Sequence, residues 1–475
     1  MKKLLIFFIL CTLSVILQAK ITLAPVIGDN MVLQQQSEVA LWGTAEPDSK
    51  VTITASWTKG KTVTQSDAEG RWFARLSTPQ AGGPYEMTFS DGEKLKVSNI
   101  LIGEVWICSG QSNMRMPMTG YYGQPVTGSA EYIASARPER QVRLCRVKEN
   151  RSLVPETTCR AQWKEHQPEA VAEISAVAYF FARLLNESLD VPVGVIEAAW
   201  GGSPIEAWMD KELLAKEFSA DFDLSFYERG KYDGKHQHHA PGVIYNGMLC
   251  PIMPFTAKGF LWYQGCANRN QPDLYMRMQP AFVKMLREKW GSEAMPFYFA
   301  QIAPYGYNNR PDDPSAGIFM DAQARTLDMI PNSGMVATHD VGDRWTIHPP
   351  DKKTVGHRFA FLALARDYGV KGIEPESPRL KSVKYSPNTA VLEFNVSKLG
   401  LNPYLKDLEG FELAGSDMVF HPAVARISKD GMTITVKCPQ VSAPVAVRYG
   451  IHNFSQATVF NSSGIPVAPF RTDDW

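Results

Sequence analysis

Apolar strand-like runs alternate with amphipathic helical stretches from about residue 102 to residue 370. This alternation constrains the fold most, because strands joined by helices pair in parallel and build the sheet of an α/β domain. A helix is predicted over residues 175–189, where apolar side chains recur at helical spacing, and the apolar run at 191–196 is typical of a buried strand. A second helix is predicted through residues 275–290.

Short β-rich runs separated by polar turns lie on both sides of this region. They predict an N-terminal β-sandwich over residues 20–101 and a C-terminal β module over residues 373–475. The α/β domain is then expected to cover residues 102–372, with a charged, histidine-rich insertion at about 210–243. A chain of 475 residues agrees with several domains, since single cores stop growing at about 250–300 residues.

The first residues have the pattern of a secretory signal. Lys2 and Lys3 precede an apolar run at 4–17, which is too short for a membrane span. Residues 1–19 are therefore predicted to be a signal peptide, and the mature protein to be exported to the periplasm or the extracellular space. Cys11 lacks the small residues that precede a lipoprotein cysteine, so a soluble product is favoured over a lipid-anchored one.

Charge and cysteine content restrict the partners and cofactors. Lys plus Arg and Asp plus Glu both number 49, so no net charge recruits nucleic acid, an anionic membrane or a polyanionic substrate. Six cysteines remain after the predicted signal, an even number that permits disulfides, and Cys145 and Cys159 are the best candidate pair. None has paired zinc-site spacing, so no structural metal is expected.

Ser112 follows an apolar strand and a tight turn within residues 103–114. In a parallel sheet this position lies at the carboxyl edge, where open α/β folds bind ligands. Serine attacks only where a base accepts its proton, and His348, which follows the apolar stretch at 334–337, is the leading candidate. The alternative is that Ser112 only caps the following helix.

An acyl-transfer enzyme also needs donors at the developing oxyanion. Gly201 and Gly202 follow the strand that ends at residue 199, and glycine lets a backbone N–H approach a substrate closely. Asn268 follows the apolar run at 260–263 and offers a side-chain amide. Taken alone, the glycines could equally form a turn, and the asparagine could cap a helix.

Two other chemistries remain open at this point. His236, His238 and His239 in the insertion suggest a metal site. Cys266 in the same predicted cleft suggests a cysteine hydrolase. The cysteine alternative predicts that Ser112→Ala stays active and that Cys266→Ala does not.

Four motifs, in order and spacing, resemble the sialate O-acetylesterase family of SGNH hydrolases. They are GQSNM at 110–114, WGG at 200–202, WYQG at 262–265 with Asn268, and IHP at 347–349. Segments at 28–34, 81–85 and 469–472 resemble the same family, so the likeness covers nearly the whole mature chain.

The resemblance implies a flavodoxin-like SGNH domain with a parallel sheet, and a serine esterase that removes O-acetyl groups from carbohydrates. Ser112 would be the nucleophile and His348 the base, and no cofactor is implied. The oxyanion hole would comprise the backbone N–H of Ser112, a backbone N–H at Gly201 or Gly202, and the Asn268 amide. O-acetylated sialic acids are the first expected substrate, and acetylated plant-type polysaccharide such as xylan is the alternative.

The chain departs from the superfamily pattern beside the histidine. Many SGNH enzymes have an aspartate three residues before it, where this chain has Trp345. Asp343 is therefore expected to orient His348, with Asp340 as the second candidate and a backbone carbonyl as a further option.

A sialate-selective pocket needs a cation for the sugar carboxylate, and Arg115 and Arg344 are the candidates. A non-catalytic glycan-binding module is the alternative from another functional class. The intact Ser112, Asn268 and His348 argue against it.

Overall fold

The computed structural model describes residues 21–404 and 407–475. The predicted signal peptide at residues 1–19 lies outside the described residues. Within the described ranges, no helix has the length and apolar character needed to span a membrane.

The N-terminal region consists of short strands in two sheets. One sheet has the order β1-β3-β6, and the other contains β5, β4, β7, β8 and β2. Their bounds are β1 Thr22–Leu23, β2 Val32–Gln34, β3 Glu38–Thr44, β4 Lys50–Ala55, β5 Lys61–Gln65, β6 Arg71–Ser77, β7 Gly82–Ser90 and β8 Lys94–Gly110. Strand β6 alternates strictly, with Trp72, Ala74 and Leu76 buried between exposed residues, as expected for a strand with one face on a core.

Strand β8 joins this region to the α/β layer without a turn. Its first half pairs antiparallel with β7, and its second half pairs in parallel with the next layer. The expected domain boundary at 101/102 falls inside this strand. Val105 and Ile107 enter the core shared with the N-terminal sheets, whereas Trp106 and Cys108 enter the core on the other face. Burial on both faces explains why the segment is continuously apolar.

The α/β layer continues the same sheet in the order β10-β9-β11-β8-β12-β13-β14, parallel except for the edge strand β10. The added strands are β9 Val142–Arg146, β10 Trp163–Glu165, β11 Val193–Ala199, β12 Gly259–Tyr263, β13 Phe297–Ala300 and β14 Ser333–Val336. The helices are α1 Ser112–Arg115, α2 Ser129–Ala134, α3 Pro168–Glu173, α4 Ala176–Leu189, α5 Lys211–Glu217, α6 Phe226–Arg229, α7 Pro272–Trp290, α8 Ser315–Arg325 and α9 Lys352–Arg366. The predicted α/β class is confirmed.

Both helices predicted from periodicity are present. Helix α4 begins after Ser175, whose side chain accepts a hydrogen bond from the N–H of Ala178, and it buries its apolar face. Helix α7 starts at Pro272, earlier than expected, because proline fits the first turn of a helix, and it ends at Gly291 in a left-handed conformation.

The strand order places a site at one edge of the sheet. Counted along the chain, β8, β11, β12, β13 and β14 lie in the spatial order 2-1-3-4-5. The order reverses between β8 and β12, and ligands bind at the carboxyl ends of strands at such a reversal.

The segment at 210–243 carries α5 and α6. Its apolar side chains Leu214, Phe218 and Phe226 are buried in the shared core, so the segment is anchored to the α/β layer.

After α9 the chain forms two four-stranded antiparallel sheets, β15-β16-β20-β19 and β18-β17-β21-β22. Their bounds are β15 Arg379–Ser386, β16 Thr389–Asn395, β17 Phe411–Ala414, β18 Phe420–Pro422, β19 Val424–Ile427, β20 Thr433–Lys437, β21 Ala446–Tyr449 and β22 Phe470–Arg471. Leu392, Leu413 and Val447 share a core between them. Asn453 Oδ1 accepts the N–H of Ala316 and so ties this region to the start of α8.

The six cysteines of the described residues are free thiols. The candidate pair Cys145 and Cys159 is therefore not bridged in this structure.

Candidate active site

Ser112 lies at the turn that leaves the central strand. Strand β8 ends at Gly110, and α1 begins at Ser112. Gly110 has φ 138°, and a Cβ at this position would lie 2.2 Å from the carbonyl oxygen of Tyr263 on β12. Only glycine fits so close to the neighbouring strand, and the tight turn leaves Ser112 at the carboxyl edge of the sheet.

A cleft of about 930 Å³ opens at this edge. Ser112 and His348, which are far apart in the chain, both line it, together with Gly201 and Gly202. No hydrogen bond joins the Ser112 hydroxyl to His348 within the described ranges. Such contacts are often long in unliganded enzymes and shorten in the substrate complex.

The glycine loop after β11 lies directly against the serine. A Cβ on Gly201 would be 3.5 Å from the Cβ of Ser112, which is ordinary contact distance. The loop is held by the N–H of Trp200, which donates to the carbonyl oxygen of Gly110. Gly202 has φ 74°, a left-handed conformation that favours glycine.

Asn268 is buried, and its amide is already engaged. Its Nδ2 donates to Glu206 Oε2 at 2.9 Å, and its Oδ1 accepts from the N–H of Ile205 and from Gln264 Nε2. Glu206 lines the cleft, whereas Asn268 is 1 % exposed. One of the two amide hydrogens is thus directed to a carboxylate at the wall of the cleft.

His348 is held by a glutamine that the sequence analysis did not identify. Its Nδ1 lies 2.6 Å from Gln124 Oε1, and its ring packs edge-on against Tyr121, with ring centres 5.1 Å apart. Gln124 is 224 positions away in the chain and carries no local motif, so no sequence signal pointed to it.

Among the described residues, neither candidate aspartate forms a hydrogen bond with the ring of this histidine. Asp343 Oδ1 accepts the backbone N–H groups of Trp345 and Thr346, because a short aspartate side chain readily bonds the backbone two and three residues ahead. Asp340 forms two hydrogen bonds, of 2.7 and 2.6 Å, with the guanidinium of Arg358. Both carboxylates therefore have partners other than the imidazole.

A family model described as carbohydrate esterase, sialic acid-specific acetylesterase, matches residues 102–365, more than half of the chain. The chain belongs to this carbohydrate esterase family. The family resemblance predicted from the four motifs is confirmed, and the protein is a carboxylic ester hydrolase.

Known proteins are similar to this esterase over nearly its full length. It is 29 % identical to a human sialate O-acetylesterase, over 94 % of this chain and 91 % of the relative, and 26 % identical to the mouse sialate O-acetylesterase, over 94 % and 93 %. A solved structure of a carbohydrate acetylesterase from Xanthomonas citri superimposes with a TM-score of 0.86 at 31 % identity, covering 96 % of this chain and all of that one.

The surroundings of His348 keep the esterase's imidazole neutral. Burial lowers the pKa of His348 to about 4, and the nearby charge of Lys352 acts in the same direction. The Lys352 side chain is itself fully buried, and burial lowers its pKa to about 7. A neutral imidazole can accept a proton over the whole range near pH 7.

Arg115 reaches the cleft of the esterase but is already paired. Its Nε lies 3.0 Å from Glu149 Oε1 and 3.5 Å from Glu197 Oε1. Glu197 is fully buried, and burial raises its pKa to about 7 although Arg115 opposes the shift. Arg115 is therefore not a free cation.

The three histidines of the insertion pack beside the glycine loop. Their ring centres are 4.5 to 6.0 Å apart, and His238 stacks on Trp200 at 4.9 Å. The described part of the esterase contains no cluster of histidine, cysteine or acidic side chains suited to a metal ion. The stacking contacts account for the position of these rings.

Proposed function

We propose that this chain is a serine esterase that removes O-acetyl groups from sugars, with Ser112 as nucleophile and His348 as base. The observation that carries the proposal is that these two residues line one cleft at the carboxyl edge of the parallel sheet. The strand order 2-1-3-4-5 supports the finer assignment of a flavodoxin-like SGNH layer.

In this mechanism His348 Nε2 takes the proton of the Ser112 hydroxyl as the oxygen attacks the acetyl carbonyl carbon. Backbone N–H groups of Ser112 and of Gly201 or Gly202 stabilise the oxyanion, assisted by the amide hydrogen of Asn268 that does not bond to Glu206. The sugar oxygen leaves with the proton from His348, and the acetyl group stays on the serine. Water, activated by the same imidazole, then releases acetate, and no cofactor is required.

The thiol of Cys266 is a poor alternative nucleophile. Cysteine attacks as a thiolate, which requires a lowered pKa. Burial instead raises the pKa of Cys266, and the residue is 8 % exposed. The serine is therefore favoured.

We propose O-acetylated sialic acids as the first substrate class, on the strength of the sialate O-acetylesterases to which the chain is similar. Recognition of the sugar carboxylate would fall to Arg344, which is exposed and follows the loop residue Asp343. Arg115 is less suited, because Glu149 and Glu197 already neutralise it.

A neutral acetylated polysaccharide, such as xylan, is the second candidate. One observation favours it: Arg115, the arginine that lines the cleft, is already paired with Glu149, so it is not free to bind a sugar carboxylate. The side chain of Glu206 at the wall of the cleft can accept hydrogen bonds from neutral hydroxyl groups.

The deciding experiment measures acetate release by the mature protein from O-acetylated sialic acid and from acetylated xylan. Ser112→Ala and His348→Ala are expected to lose at least about 10³-fold in kcat. Cys266→Ala and the remote control Ser90→Ala are expected to stay active. Activity that survives in Ser112→Ala would overturn the serine mechanism, and wild-type protein inert on both substrates would favour a glycan-binding module.

We also propose that the protein is exported to the periplasm or the extracellular space. The support is the signal-like pattern of residues 1–19. N-terminal sequencing of protein recovered outside the cytoplasm is expected to begin near residue 20. Protein that keeps Met1 and stays in the cytoplasm would contradict the proposal.

A further inference from the structure

We propose that Gln124 is the positioning residue for His348. Related hydrolases use a carboxylate in this place, so the residue that orients the base is here a neutral amide. This inference rests on the proposed function of Ser112 and His348. It follows from the structure and the contacts of one short turn, residues 120–124.

The turn is closed on itself by two backbone hydrogen bonds. The N–H of Tyr121 donates to the carbonyl oxygen of Gln124, and the N–H of Gln124 donates back to that of Tyr121, both at 2.9 Å. Gly120 begins the turn with φ 78°, and a Cβ there would lie 2.3 Å from the Gln124 oxygen. The backbone that carries Gln124 is therefore fixed by local geometry.

The same turn contacts both proposed reacting residues. Tyr121 Oη donates to the backbone carbonyl of Ser112 at 3.1 Å, and its ring packs on the His348 ring. Gln124 Oε1 lies 2.6 Å from Nδ1 of that ring. Two neighbouring side chains thus set the position of the nucleophile's backbone and the rotation of the base.

The chemical consequence concerns the tautomer of the histidine. Gln124 Oε1 can only accept, so Nδ1 of His348 carries the proton and Nε2 keeps the lone pair that a base needs. An aspartate would select the same tautomer but would also stabilise the imidazolium formed during reaction. The neutral amide supplies orientation without that charge.

The other groups near the ring do not replace the missing charge. Lys352 at the start of α9 adds positive charge, and Tyr121 is the ionisable side chain that packs on the ring from the turn. The carboxylate of Asp343, on the histidine's own loop, is bonded to that loop's backbone. The proposal therefore predicts a base that stays neutral into mildly acidic solution.

The test compares Gln124→Ala and Gln124→Glu by kcat, KM and pH profile on an acetylated sugar, with the exposed Gln162→Ala as control. Gln124→Ala is expected to lower kcat by about 10²- to 10⁴-fold with little change in KM. Gln124→Glu is expected to restore most of kcat and to move the acidic limb of kcat/KM to higher pH, because a carboxylate raises the pKa of its histidine. A purely structural role would not move that limb.

Two outcomes would overturn the proposal. Gln124→Ala that keeps kcat within about twofold, while Ser112→Ala is inactive, would remove the role of Gln124 and leave the serine mechanism standing. A pH profile of kcat/KM for Gln124→Glu that coincides with that of the wild type would also remove the role of Gln124. This second comparison tests the proposal even if Gln124→Ala fails to fold. Wild-type protein without esterase activity would instead refute the proposed function itself.

A separate observation concerns Tyr122 and Trp345. They are 104 % and 78 % exposed, more than any other large apolar side chain of the described ranges. Tyr122 stands at the tip of the turn that carries Gln124, and Trp345 lies three residues before His348. Both loops that meet at the proposed base therefore carry an exposed aromatic ring, and the guanidinium of Arg344 lies over that of Trp345, 5.2 Å from the ring centre.

We infer that Tyr122 and Trp345 bind sugar rings of a glycan chain beyond the acetylated residue, which again rests on the proposed function. Tyr121, next to Tyr122 in the chain, and His348, three residues after Trp345, line the cleft, and the apolar face of a pyranose matches a flat ring. The occupant is the substrate's own chain, because both rings adjoin the residues that would hold its acetyl group.

The test is the ratio of kcat/KM for an acetylated oligosaccharide to that for the acetylated monosaccharide. Tyr122→Ala and Trp345→Ala are each expected to lower this ratio about 3- to 10-fold, mainly through KM, and the remote exposed aromatic variant Phe73→Ala is expected to leave it unchanged. An unchanged ratio in both variants would overturn the inference, and loss of all esterase activity only in Ser112→Ala would show that the proposed function still holds.

Discussion

Lys352 Nζ donates a hydrogen bond to Oδ1 of Asn113, the residue that follows the proposed nucleophile. Asn113 in turn donates from Nδ2 to the backbone carbonyl of Ile347 at 3.0 Å. A fully buried lysine thus fastens the start of α1 to the loop of His348. Lys352 stands in the charged run at 351–353, where the sequence alone does not distinguish it from its exposed neighbour Lys353.

Replacing Lys352 with methionine is expected to lower kcat about 10-fold or more, because the loop of His348 loses its link to the serine turn. The variant also removes the positive charge that lowers the pKa of His348, so the acidic limb of kcat/KM should move to higher pH. The exposed neighbour Lys353→Met is the matched control. Equal pH profiles for the two variants would contradict this role.

Glu197→Gln is expected to change how stability depends on pH. The native carboxyl holds its proton up to about pH 7, whereas an unfolded glutamate loses it near pH 4.5. The native state therefore binds more protons between these values, and the stability of the wild type falls as pH rises from 4.5 to 7. The variant removes this contribution, on the order of 2–3 kcal/mol. Denaturant unfolding at pH 5 and pH 7 measures it. The same change in the free energy of unfolding between the two pH values for both proteins would refute the prediction.

Gly110→Ala is expected to destabilise the protein by about 3 kcal/mol or more and to abolish activity. The added methyl group would overlap the Tyr263 backbone on the neighbouring strand, at a positive φ that alanine rarely adopts. Gly28→Ala has open space around it and serves as control. Thermal unfolding of the two variants distinguishes them, and similar midpoints would mean that the turn tolerates a side chain.

Asp343→Asn is expected to keep kcat within about threefold of the wild type. Its side-chain oxygen can still accept the N–H groups of Trp345 and Thr346, so the loop should keep its shape. An aspartate that oriented the base would instead cost about 10⁴-fold on conversion to asparagine. Steady-state kinetics beside Gln124→Ala separates the two cases, and a large loss in Asp343→Asn would restore the aspartate as the orienting group.

Periodicity and local motifs were sufficient to predict the α/β layer of strands and helices and the candidate residues at the carboxyl edge of its sheet. Helix α4 and the turn at Ser112 follow from spacing alone, because burial on one face and a glycine between strand and helix act within a few residues. The family resemblance followed from the same local motifs. The continuity of β8 across residues 101 and 102 was not predicted, since a long strand shared by two layers has the same local pattern as two short ones.

The sequence by itself determined the α/β class, the family, and the candidates Ser112 and His348, since each depends on neighbours in the chain. Only the tertiary structure decided what holds His348. Gln124 reaches it across 224 positions, whereas Asp343, five positions before it, bonds to its own loop. Hydrogen-bond partners at such separations depend on how the sheet brings its loops together, and no local pattern records that.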